Sequence, residues 1–131
     1  MPEAHPSHFT VAQANQAVKI IRPLMAEIQS IREQILAQQA EIWPAVERSA
    51  GNGGNPTLSR MVHDFERLDD LVHAIHRTGA LLKDLNTGLV DFPALRGDQE
   101  VYLCWKHGEP GVLFWHEIEA GFAGRRPIRD F

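Results

Sequence analysis

The sequence predicts an α+β fold, a long antiparallel helical hairpin followed by a three- to four-stranded antiparallel β-meander. Three observations carry that prediction. Apolar residues recur at helical spacing as far as Ile75, a Gly- and Asn-rich stretch at 49–55 cuts the pattern in two, and beyond Gly79 short apolar runs alternate with turn residues.

The first helix is signalled by Thr10 and Gln13, a capping-box pair, with Phe9 just outside as a hydrophobic staple. Residues 1–9 are expected to form a flexible tail, and 10–79 the helical pair. Ala14, Val18, Ile21, Met25, Ile28, Ile35 and Ile42 follow one another at steps of three and four or their sum, and Leu24 and Ile31 widen the stripe. Pro23 lacks a backbone donor and disfavours helical geometry at Arg22, so a kink or a restart is expected there. Pro44 and the loop SAGNGGN, 49–55, place the end of this helix between Trp43 and Arg48. A second helix begins near Pro56 and Thr57, presents Leu58, Val62, Phe65, Leu68, Val72 and Ile75 on one face, and stops at Gly79.

At 1.5 Å per residue, about thirty-five residues of first helix reach roughly 50 Å, whereas about twenty-two of the second reach roughly 33 Å. Part of the first stripe therefore needs another cover, either the β segment or a second copy of the chain. Because most oligomers are symmetric dimers, the sequence reading is a homodimer joined through its helices.

In the β-rich segment, 80–131, ALLKDL and GLVDF flank Asn86, Thr87 and Gly88 as a hairpin, with Gly88 in a left-handed turn position. Pro93 ends the second run or places it at an edge. Arg96, Gly97 and Asp98 form the next turn, and EVYLCW and VLFWHE are strands separated by KHGEPG. Both strands are apolar on both faces, which predicts a sheet covered on both sides: by the helices, and by the C-terminal segment, a partner or a ligand.

With 131 residues, 44% hydrophobic and 23% charged, the chain has the size and composition of one folded domain. A net charge of −4 provides no basic field, so no nucleic-acid partner is expected. The lone Cys104 cannot form an internal disulfide, no apolar run is long enough for a bilayer, and the opening MPEAHPSHFT has no signal-peptide pattern. The expectation is a cytoplasmic protein without a membrane partner.

The words GLVDFPA, EVYLCW, GEP, FWHE and GFAGRRPI, with the opening FTVAQAN and the IRP of the first helix, resemble the signature of the DUF2203 family, small bacterial proteins of unknown function. The resemblance extends over nearly the whole chain. The family often carries an aspartate at the position of Glu117, so the carboxylate is kept. What the resemblance implies is a shared fold and a shared set of residues, not a reaction.

The candidate functional cluster read from the residues is Asp91, Cys104, Trp105, Glu109, Trp115, His116, Glu117 and Arg125. His116 and Glu117 are the metal candidates, since imidazole and carboxylate suit a divalent ion, although neighbours on a strand point to opposite faces unless the strand bulges. Cys104 joins His116 on one face if five residues, 107–111, separate the last two strands, and is divided from it if four do. Asp91, flanked by apolar residues, needs a partner, and Arg125 or Arg126 can supply one by closing the tail over the sheet. Trp105 and Trp115 read as core. Asp69, His73 and His76 share one side of the second helix and read as a solvated flank. Two functions follow: a non-enzymatic dimeric interaction module, preferred because no catalytic constellation is recognisable, and, as the alternative, a metal-binding protein or small metalloenzyme centred on His116.

Overall fold

The computed structural model describes residues 7–49 and 56–131, without the side chains of 40–49 and 57. The expected tail at 1–6, the loop residues 50–55 and the side chain of Ile42 lie outside the described residues. Two helices, α1 (Val11–Ser49) and α2 (Pro56–His76), are followed by a five-stranded antiparallel sheet.

α1 starts where its cap predicts. The Gln13 N–H donates to Thr10 Oγ1 at 3.1 Å, and the Thr10 N–H donates to Gln13 Oε1 at 2.9 Å, so each side-chain oxygen satisfies the other residue's orphan N–H. Phe9, the last residue of the expected tail and also the expected staple, is buried. Its ring meets Phe92 edge-on at 5.1 Å and its N–H donates to the Pro93 carbonyl at 2.6 Å, which pins the helix entry to the sheet.

Neither proline breaks α1. Pro23 is exposed, so the carbonyl it leaves without a donor faces water, while Ile21, Met25 and Ile28 keep the buried stripe intact. The helix also continues through Pro44 to Ser49. On α2 the buried residues are Met61, Leu71 and Ile75, flanked by Leu68 and Val72, whereas Val62 and Phe65 are 55% and 52% exposed. The expected stripe drifted because two successive three-residue steps lead from Leu68 back to a position about 120° around the helix.

The strands β1 (Leu81–Asp84), β2 (Leu89–Arg96), β3 (Gln99–Lys106), β4 (Phe114–Glu117) and β5 (Arg126–Pro127) pair in sequence order. β5, with only two residues, is too short to show a period in the sequence. Pro93 does not end β2. It opposes Tyr102 of β3, and β1 has already stopped pairing at Asp91, so on that side Pro93 lies on an open edge where no N–H is required.

Val90, Phe92, Ala94, Val101, Leu103, Trp105 and Trp115 are buried in one cluster with the α1 stripe, so the helices cover one face of the sheet. The polar flank of α1 fastens the loops at one end of that sheet. Asn15 Oδ1 accepts from the Val112 N–H at 2.8 Å, Arg22 donates to the Pro110 carbonyl at 2.6 Å, and Gln29 donates to the Leu85 carbonyl at 2.7 Å. These residues recur every seven positions, one side of a helix. The sheet thus covers the part of α1 that the shorter α2 leaves over, and the length mismatch is filled within the chain.

Candidate metal centre

β3 and β4 set the site through their register. Tyr102 opposes His116 and Cys104 opposes Phe114, the pairing of the five-residue alternative, so Cys104 and His116 share a face. Asp91 opposes Cys104 across β2 and β3. The three residues therefore meet on the outer face of the sheet, away from the helices, each on a different strand.

All three are buried, and one ligand atom from each, a carboxylate oxygen, the sulfur and an imidazole nitrogen, lies within 4.8 Å of the others. His116 Nε2 is 3.1 Å from Asp91 Oδ1. Its Nδ1 is 2.7 Å from the Glu117 carbonyl. A carbonyl only accepts, so Nδ1 carries the hydrogen and Nε2 is the atom turned toward Asp91 and Cys104. An imidazolium paired with the Asp91 carboxylate satisfies that geometry, and so does a neutral imidazole sharing a cation with it. A backbone carbonyl holding the far nitrogen is a common support for metal-ligating histidines.

Burial pushes the Cys104 thiol up to about 12, the negative charge of Asp91 adds to that shift, and the Arg125 guanidinium opposes it. Without a cation the sulfur is a neutral thiol, which argues against a free nucleophile.

The remaining candidates are placed differently. Glu117 does not join the ligands: strand alternation turns its side chain to the face opposite His116, where it is exposed at the end of β4, and only its carbonyl serves His116. Arg125 pairs not with Asp91 but with Glu109, its Nη2 donating to Oε1 at 2.6 Å, while Asp91 takes His116 as its partner. Glu109 Oε1 also accepts from the Lys106 N–H at 2.7 Å. Arg126 opposes Trp115 on the β4–β5 ladder and stacks on its ring at 5.3 Å, and so is turned away from Asp91. Trp105 and Trp115 point into the helix-covered core, with Trp105 Nε1 donating to the Glu109 carbonyl at 2.9 Å. On α2, His73 bonds back to the Asp69 carbonyl at 2.8 Å and His76 Nε2 accepts from the Leu82 N–H at 3.2 Å, so these residues serve local structure.

The sequence reading passed over Tyr102 and Phe114, which complete the outer face. The Tyr102 ring meets His116 edge-on at 5.6 Å and carries Lys83 Nζ 4.8 Å above it. Both positions were available from the five-residue register, in which they share the face of Cys104. The C-terminal segment covers this face, with the Arg125 guanidinium 4.0 Å from the Phe114 ring and 4.7 Å from Phe122.

Among the described residues no helix is long and apolar enough to cross a membrane. Neither a curated protein nor a solved structure matches the chain. A family model does match, over residues 7–128, and so takes in both helices and every strand of the site: the chain belongs to DUF2203, an uncharacterised conserved protein family.

Proposed function

We propose that the protein binds a divalent metal ion, zinc foremost, through Asp91, Cys104 and His116. The observation that carries this is the convergence of three different ligand atoms within 4.8 Å in a buried site, with the far nitrogen of His116 already held by a carbonyl. Tetrahedral zinc with bonds of about 2.0–2.3 Å spaces its ligands roughly 3.3–3.8 Å apart, so small rearrangements would close the shell. One carboxylate and one thiolate balance the charge of a divalent ion, which resolves the cost of burying them. Three protein ligands leave a fourth position open, the pattern of catalytic rather than structural zinc. The chemistry available at such a position is polarisation of a bound oxygen or activation of water.

Elemental analysis of protein purified without an affinity tag tests this. About one metal per chain is expected, lost in His116→Ala and in Cys104→Ser while both variants remain folded. A metal-free wild type that also takes up none on addition of zinc would refute it. A buried reduced thiol ligand suits a reducing compartment, which supports a cytoplasmic location.

A helix-mediated homodimer is the second reading. It no longer draws on helix length, and the observation that favours it is the exposed pair Val62 and Phe65 on α2. Light scattering at micromolar concentration is expected to give twice the chain mass, reduced to the monomer by Phe65→Glu. A monomeric wild type would remove it.

A further inference from the structure

Three cations stand over the aromatic rings of the outer face. Lys83 lies over Tyr102, Lys106 Nζ lies 5.7 Å from the Phe122 ring, and Arg125 lies between Phe114 and Phe122. Among the described ion pairs, Arg125 is the one cation of the three with an acid partner, Glu109. Arg125 is also not fully used: its side chain is 13% exposed, one terminal nitrogen is bound to Glu109, and its Nε is buried with no hydrogen-bond partner. A buried donor on a charged group is costly to leave unmatched. The ring beneath it belongs to Phe114, the cross-strand partner of Cys104, so this guanidinium sits beside the proposed ligands. Rings on two sides fix its plane, the condition for directional recognition of an oxyanion.

We propose that this site takes a small oxyanion, a carboxylate or phosphate group, with one oxygen at the fourth position beside Asp91, Cys104 and His116 and another accepting from Arg125. The proposal rests on the metal reading above. Asp91 and the Cys104 thiolate neutralise a divalent ion, Glu109 neutralises Arg125, and Lys83 and Lys106 remain to balance the incoming charge. Arg125 is thus a binding residue for the ligand rather than a metal ligand.

The test uses the full chain loaded with cobalt, whose visible bands report its coordination, titrated separately with inorganic phosphate and with acetate. A saturable change in the bands is expected with at least one of them, and the stronger of the two identifies the class of group. Arg125→Lys, which keeps the charge but removes Nε, is expected to weaken that response about tenfold or more with cobalt affinity unchanged. Bands that neither anion moves in the wild type would overturn the oxyanion and leave the metal reading standing. An equal response in Arg125→Lys would overturn the role of Arg125. A chain that takes up no cobalt would defeat both. If Arg125→Lys does not fold, Phe122→Ala, which removes one stacking ring from an exposed position, is expected to weaken the response several-fold, and an unchanged response would overturn the proposal.

Discussion

At the scale of single residues, the chemistry of the outer face depends on who neutralises whom. Asp91 and His116 have side chains 4% and 2% exposed, and the His116 imidazole is the group that faces the Asp91 carboxylate. Removing His116 leaves a carboxylate buried without compensation, so His116→Ala is expected to cost about 3–5 kcal/mol in urea unfolding of metal-free protein. Asp91→Asn in the same background should return part of that loss, and a double variant as unstable as the single one would show that Asp91 is not the source. Cys104 makes a second prediction, on the alkaline side. Its folded-state value of about 12 lies above the ordinary 9.0, so burial of the neutral thiol contributes fully below about pH 9. Above that the unfolded chain ionises first, and the contribution is lost progressively up to about pH 12. Wild type minus Cys104→Ala, compared across that window, should therefore show falling relative stability. A flat difference would mean that the thiol is not protected as the structure implies. With zinc added, thiolate absorbance is expected near neutral pH, because the ion replaces the proton.

At the scale of elements, close approach and register decide what forms. Gly88 closes the β1–β2 turn at φ 72°, and a Cβ there would meet His107 Cβ at 2.6 Å and Met25 at 3.3 Å. Gly88→Ala therefore combines a left-handed backbone with a clash against His107 and a tight contact with Met25 of α1, and should cost about 2 kcal/mol or more in thermal or urea unfolding. A loss below the measurement error would mean that the turn and His107 do not meet so closely. The turn itself was legible, since Asn-Thr-Gly between two apolar runs has few other uses. The cap of α1 was legible for the same local reason. The seam of α2 was not: consecutive three-residue steps fit a stripe on paper, while the buried side runs through Met61, Leu68, Leu71 and Ile75. The site was legible in its residues but not in its pairing. Asp91, Cys104 and His116 could each be singled out by type and context, yet whether they met depended on a one-residue choice of register that no local signal fixes. Arg125 was matched to Asp91 because the partner nearest in chemistry was chosen, whereas the loop fold brings Glu109 closer to it.

At the scale of the whole molecule, the sheet is a wall between two environments. The helix side carries the apolar core, and the outer side holds three buried ionisable groups beneath the C-terminal segment. Such a site has no stabilising partner in the unfolded chain, so a metal that binds it draws its free energy from the folded state alone. At a free zinc concentration one hundred times the dissociation constant, the folded state gains about 2.7 kcal/mol. For a chain of 131 residues this corresponds to an increase in melting temperature of roughly 10 °C, given the usual unfolding entropy per residue. The increase should reverse with a chelator and vanish in Cys104→Ser. It should persist in Glu117→Gln, because the exposed Glu117 carboxylate lies outside the cluster and only its carbonyl serves His116. Loss of the increase in Glu117→Gln, with Cys104→Ser unaffected, would move the ion off the outer face of β2 and β3 to the strand end, and the register that joins Cys104 to His116 would then have no part in holding it.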